Sequence, residues 1–180
     1  LIDLARCAAP DREYIIFRDR RLTRRQVWNC AERLAAGLQA LGVTQGDRVA
    51  TLLPACPEAV YTLFLPWLLG NVEVPLNPLL GEHELRYILA DCQAKVVITT
   101  QKWYGRDYPA LLTRLLPHLP ALRAVVVLGA NDADGQTTFA LEELLAWNVP
   151  LHRGRIAPGE VGRIAYTSGT TGLPKGVVHA

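Results

Sequence analysis

The sequence predicts an α/β fold: a doubly wound, mainly parallel sheet with helices on both faces. Three observations carry that reading. Apolar strand-like runs recur roughly every 25 residues with helical segments between them, the order that yields right-handed βαβ units. The runs are continuous in Val, Ile and Leu and do not alternate with polar residues, as strands buried on both faces require. The intervening segments carry apolar residues at helical spacing with recognisable start and stop signals.

The elements follow in order. Tyr14 to Phe17, Arg18-Asp19-Arg20-Arg21 and Leu22 read as a short surface hairpin. Thr23-Arg24-Arg25-Gln26 fits a capping box, with a hydroxyl at the N-cap and an amide three residues on. Behind it Val27, Ala31, Leu34, Leu38 and Leu41 keep helical spacing, and Gly42 stands at the expected stop. Val49 to Leu53 reads as a buried strand. Pro57 and Glu58 open an apolar helix ending at Gly70, with a kink expected at Pro66. Val72-Glu73-Val74 is a short strand in which Glu73, between two valines, is read as a position near the sheet's edge. Pro75 to Pro78 is a turn, Glu82 to Cys92 a helix with Leu85, Ile88 and Leu89 on one face, and Lys95 to Thr99 a strand. Pro109 to Leu116 is a helix and Ala124 to Leu128 a strand. Asn131 to Thr138 is a solvated polar loop, Phe139 to Trp147 a short helix, and His152 to Gly159 a basic linker.

At 180 residues, half of them apolar, the chain is long enough for one sizeable core. The net charge of +2 is near neutral, and of 19 basic residues all but Lys95, Lys102 and Lys175 are arginines, dispersed among acids. This gives no nucleic-acid footprint. Cys7, Cys30, Cys56 and Cys92 show no metal-ligand spacing and sit in apolar or helical contexts, as reduced thiols of a cytoplasmic protein do. The two acids of the polar loop lack the glutamate of a calcium loop. Leu1 to Pro10 does not read as a secretory signal, and the longest apolar stretch, Ala59 to Gly70, is too short to span a bilayer. Trp28, Trp67, Trp103 and Trp147 are read as packing residues, and His83, His118 and His152 as surface residues. The absence of methionine and the stop at Ala180 suggest an incomplete chain.

The segment with chemical content runs from Ile164 to Val178: Ile-Ala-Tyr-Thr-Ser-Gly-Thr-Thr-Gly-Leu-Pro-Lys-Gly-Val-Val. It begins as a strand, passes through a loop rich in hydroxyls and glycine, presents one lysine and leaves as a strand. Gly169, Gly172 and Gly176 permit close approach of a ligand to the backbone. Successive N–H groups in such a turn make a concave nest for an anion. Thr167, Ser168, Thr170 and Thr171 add hydroxyl donors, Lys175 a mobile positive charge, and Pro174 stiffness. Donors of this kind gain most where negative charge grows on a departing pyrophosphate. A Walker loop is excluded because Lys precedes Gly and a strand follows, and the dinucleotide GxGxxG pattern is absent.

Tyr166 to Val177 resembles the AMP-binding signature of the adenylate-forming superfamily, which includes acyl- and aryl-CoA synthetases, peptide-synthetase adenylation domains and luciferases. A looser likeness runs through Leu22-Thr23, Leu41-Gly42-Val43, Gly46-Asp47-Arg48-Val49, Leu53-Pro54, Pro57-Glu58, Val74 to Pro78, and Glu84-Leu85 through Ile88-Leu89. Asn77 leans toward the CoA ligases, since peptide synthetases usually have Asp there. The resemblance implies a two-step reaction on a fatty or related carboxylic acid with ATP, Mg2+ and coenzyme A. It also implies that Thr167, Ser168, Gly169, Thr170, Thr171, Gly172 and Lys175 hold the β- and γ-phosphates, with Lys175 the catalytic candidate.

On the same resemblance, residues 1–180 are an incomplete N-terminal AMP-binding domain, inactive alone. The adenine and ribose motifs, the magnesium-binding glutamate, the hinge and a C-terminal lysine would follow Ala180. His179 falls two positions short of a histidine common in the family. Three alternatives stay open: a peptide-synthetase adenylation domain, a non-catalytic ATP- or AMP-binding regulator, and a kinase or NTPase releasing ADP. The acid, the acceptor thiol and the oligomeric state are not readable.

Overall fold

A computed structural model describes residues 9–130, 133–154, 157–167 and 172–180. The hairpin β1 (Glu13–Phe17) and β2 (Arg20–Thr23) leads into helix α1 (Arg24–Ala40). The capping box forms as the sequence predicts. Thr23 Oγ1 accepts from the Gln26 backbone N–H at 3.3 Å, and Gln26 Oε1 accepts from the Thr23 N–H at 2.8 Å. Gly42, at φ +88°, takes the left-handed conformation just past the helix.

Then come β3 (Arg48–Leu52), α2 (Pro57–Thr62), α3 (Leu65–Leu69), β4 (Val72–Pro75), α4 (Glu82–Asp91) and β5 (Val96–Thr100). A small hairpin, β6 (Lys102–Trp103) and β7 (Arg106–Asp107), precedes α5 (Tyr108–Leu115) and a 3-10 turn (Leu116–His118). The chain closes with β8 (Ala124–Leu128), β9 (Thr138–Ala140), α6 (Leu141–Ala146), β10 (Arg163–Thr167) and β11 (Lys175–His179).

The central sheet has the order β11-β10-β4-β3-β5-β8-β9. Every neighbouring pair is parallel except β10 and β11. The pleat divides the apolar runs between two cores. Val49, Val96, Ile98, Ala124 and Val126 pack under α1, α2, α3 and α6. Ala50, Leu52, Val74, Val97, Val125 and Val127 pack under α4 and α5. The doubly wound class is thereby realised, with unbroken apolar strands because each face has its own helical layer.

Four local expectations are corrected. The helix expected from Pro57 to Gly70 is two helices. Pro66 has no N–H for the Thr62 carbonyl, so α2 ends at Thr62 and Pro66 lies in the first turn of α3, where no donor is required. Phe139 and Ala140 belong to β9, not to a helix; they pair with Val126 and Val127, and burial against β8 overrides helical patterning. Glu73 is not near an edge: β4 lies between β3 and β10, and the residue is 2% exposed. Trp67 departs from the packing role of Trp28, being 41% exposed beside a cleft.

The supposed linker is partly docked. Gln39 exchanges hydrogen bonds with the backbone of His152 at 2.8 and 2.9 Å, and the Gly154 N–H donates to the Leu68 carbonyl at 2.9 Å. Part of the polar loop is ordered by Asp134, which accepts from the N–H groups of Gln136, Thr137 and Thr138. Those bonds hold its carboxyl well below the ordinary 3.8. Asn131, Asn-adjacent Asp132 and Cys7 lie outside the described residues. Cys30, Cys56 and Cys92 are free thiols. Among the described residues no helix is long and apolar enough to cross a membrane.

Candidate functional site

The hairpin of β10 and β11 presents the signature at the carboxyl end of β10. In open α/β sheets that edge is where ligands bind, because the loops there are free of the sheet's own hydrogen bonding. The register is Arg163↔His179, Ile164↔Val178, Ala165↔Val177, Tyr166↔Gly176 and Thr167↔Lys175. Thr167 and Lys175 therefore face each other at the mouth of the loop, and both are exposed. Among the described residues Lys175 forms no ion pair, which leaves its ammonium free for an anion.

Gly172 has φ +112°, a conformation that side-chain-bearing residues rarely adopt, so glycine there is a backbone requirement. Pro174, just before β11, is buried. Ser168, Gly169, Thr170 and Thr171 lie outside the described residues. Of the seven expected phosphate ligands, the structure thus places Thr167, Gly172 and Lys175 around one loop.

Two faces of the hairpin do different work. Ile164 and Tyr166 pack against the core under α4. The Tyr166 hydroxyl donates to Oδ2 of Asp91, the last residue of α4. Burial first, and then the Asp91 carboxylate, push the phenol well above its ordinary 10.0, so it remains a donor. On the opposite face Arg163 donates from Nε to Glu73 Oε2 at 2.9 Å. Burial raises the Glu73 carboxyl, and Arg163 offsets only part of that effect. This face opens into a cleft of about 840 Å³ lined by Leu63, Trp67, Glu73, Arg163, Ala165 and His179, among others.

Sequence reasoning singled out the loop but missed its anchors, Asp91 and the Glu73–Arg163 pair. The visible signal was Glu73 itself, a carboxylate inside an apolar strand, which calls for a cationic partner. His83, His118 and His152 are exposed, as the sequence suggested, and His179 is an exposed residue at the end of β11. Among the described residues no three His, Cys, Asp or Glu side chains stand together as a metal site.

Together the fold and the hairpin define a class: an α/β domain that carries a glycine- and hydroxyl-rich, lysine-bearing loop at the carboxyl end of a strand of its sheet. The chain belongs to the AMP-binding enzyme family, whose profile matches residues 4–180. It is 32% identical to a long-chain-fatty-acid–CoA ligase of Bacillus subtilis (strain 168), over 94% of this chain and 34% of that protein. It is 36% identical to an indoleacetate–CoA ligase of Aromatoleum aromaticum (strain DSM 19018 / LMG 30748 / EbN1), over 94% of this chain and 32% of the relative. Its fold matches the crystal structure of the anthranilate CoA ligase AuaEII in complex with anthranoyl-AMP. The TM-score is 0.87 at 31% identity, covering 98% of this chain and 33% of that one. The chain spans about a third of the length of these relatives.

Proposed function

We propose that this chain is the N-terminal part of an ATP-dependent acid–thiol ligase. In the first step a carboxylate oxygen attacks the α-phosphorus of ATP, the bond to the bridging oxygen breaks, and pyrophosphate leaves with the electron pair. In the second, a thiol attacks the carbonyl carbon of the acyl-adenylate and AMP departs. The acceptor we favour is coenzyme A, because the similar proteins named above are CoA ligases. The acid belongs to the fatty and aryl carboxylic acids that those relatives' names span.

The observation that carries the reading is the pairing of Thr167 with Lys175, which forms no ion pair among the described residues, across the mouth of a glycine-bearing loop at the sheet's carboxyl edge. In this reading Thr167, Ser168, Gly169, Thr170, Thr171, Gly172 and Lys175 hold the β- and γ-phosphates. Lys175 would stabilise the charge that grows on pyrophosphate as the α-phosphorus bond breaks. The described residues supply no cluster for Mg2+, which would enter as the counter-ion of ATP.

The test is acid-dependent ATP–pyrophosphate exchange by the polypeptide that carries this chain, across short, medium, long and aromatic acids. Exchange with one class of acid supports adenylation and names that class. ATP binding without exchange for any acid would overturn it in favour of a regulatory role, and release of ADP in favour of γ-phosphoryl transfer.

A further inference from the structure

We propose that Asp91 is a positioning residue for the phosphate loop: it holds Tyr166, and through Tyr166 the limb of the hairpin that carries Thr167. The proposal rests on the reading of this loop as an ATP-phosphate site.

The hydrogen-bonded attachment of β10 to β4 gives such an anchor a role. Strands β3 and β4 pair from Arg48↔Val72 to Thr51↔Pro75, whereas β4 and β10 pair, among the described residues, at Arg163↔Glu73 alone. That pair is at the root of β10, away from the loop. Toward the loop no further register pair joins β10 to β4, and the packing of Ile164 and Tyr166 together with the Tyr166–Asp91 hydrogen bond ties the strand to the rest of the fold there. A carboxylate acceptor makes this bond stronger than one between neutral groups.

Two further observations point the same way. Gly176 is the register partner of Tyr166, and a Cβ on it would stand 3.2 Å from Tyr166 Cζ and 3.0 Å from Ile164 Cγ2. The missing side chain on β11 thus lets the tyrosine ring lie where its hydroxyl meets α4. Asp91 is also badly suited to stabilising its own helix, since a carboxylate at a helix C-terminus opposes the helix dipole. Its chemistry is explained by the hydroxyl it accepts. Leu173, on the returning limb, lines a cleft of about 590 Å³ that runs along α4 from His83 to Asp91, so both limbs stand beside the same helix.

The test is equilibrium binding of Mg-ATP, in the absence of acid, to the full polypeptide that carries this chain, with pyrophosphate exchange measured in parallel. Asp91→Ala and Tyr166→Phe are each expected to weaken Mg-ATP binding about tenfold, the scale of one hydrogen bond to a charged group. The double substitution should be no weaker than the worse single one, because both remove the same bond. Asp91→Asn, which still offers an acceptor, should restore most of the affinity, and the KM for the acid should stay constant throughout. Unchanged Mg-ATP affinity in Tyr166→Phe, or losses that multiply in the double variant, overturns the proposal. So does an equal loss of acid and ATP binding with a lowered melting temperature, which marks a general fold defect. If Asp91→Ala fails to fold, Tyr166→Phe carries the test, since it deletes one hydroxyl. ATP binding without exchange in the unaltered protein removes the ligase reading and leaves this test intact; failure to bind ATP at all overturns both.

Discussion

Arg163 directs two nitrogens, Nε at 2.9 Å and Nη2 at 2.7 Å, to the same oxygen of Glu73. The Glu73 side chain is 3% exposed and that of Arg163 is 43% exposed, so the pair is sealed on one side and open to the cleft on the other. It joins the root of the hairpin to β4 and has direct consequences for stability.

Arg163→Ala leaves a buried carboxylate without its cation. Unfolding free energy at pH 7 is expected to fall by about 2–3 kcal/mol, the cost of a buried charged group left unsatisfied. Urea unfolding measures this, and a change within about 0.5 kcal/mol, ordinary for surface substitutions, would contradict the account.

The same carboxylate makes a pH prediction. Its folded-state pKa lies above the ordinary 4.5 because burial outweighs Arg163. A raised carboxyl contributes stability that is fully present below 4.5 and is lost as pH rises through the folded value. Glu73→Gln should therefore gain on the parent protein as pH rises from 4.5 toward 7. Parallel stability curves for the two proteins would refute this.

Gly176→Ala would press a methyl group against Ile164 and Tyr166. A loss of about 1–3 kcal/mol is expected from the crowding, together with weaker ATP binding as Tyr166 is displaced. Thermal denaturation and ATP titration of the same preparation read both effects.

Lys175→Ala should behave oppositely. The side chain is exposed and, among the described residues, unpaired, so stability should change by less than about 0.5 kcal/mol. ATP-dependent exchange, in contrast, should drop about a hundredfold, the scale of one lost transition-state donor. Exchange at the parental rate would remove Lys175 from the site.

Gly154→Ala tests the docking of the segment around His152. A Cβ there would lie 2.2 Å from the Leu69 carbonyl oxygen, a collision with backbone that no rotamer relieves. Trypsin cleavage after Arg153 should become faster, and an unchanged rate would mean that the segment is not held against α3.

Much of this was legible in the chain. The capping box at Thr23 and Gln26, the stop at Gly42 and the strands at Val49, Val96 and Ala124 rest on local chemistry that needs no partner to be recognised. The segment from Tyr166 to Lys175 stood out equally by its glycines, hydroxyls and single lysine, and it is the segment on which the proposed ATP site rests. What stayed hidden depended on contacts distant in sequence. That Glu73 lies inside the sheet and not near its edge turned on β10 adding beside β4. Phe139 joined a strand because β8 offered an open edge.

By itself, then, the order of residues determined the fold class and the two-sided burial of the strands, both of which follow from spacing and side-chain type. Tertiary structure alone decided that Glu73 is buried and meets Arg163 90 residues away, and that Tyr166 reaches Asp91 75 residues back. The reason is physical: a local pattern states what a side chain needs, but only the packed sheet brings the partner that meets the need.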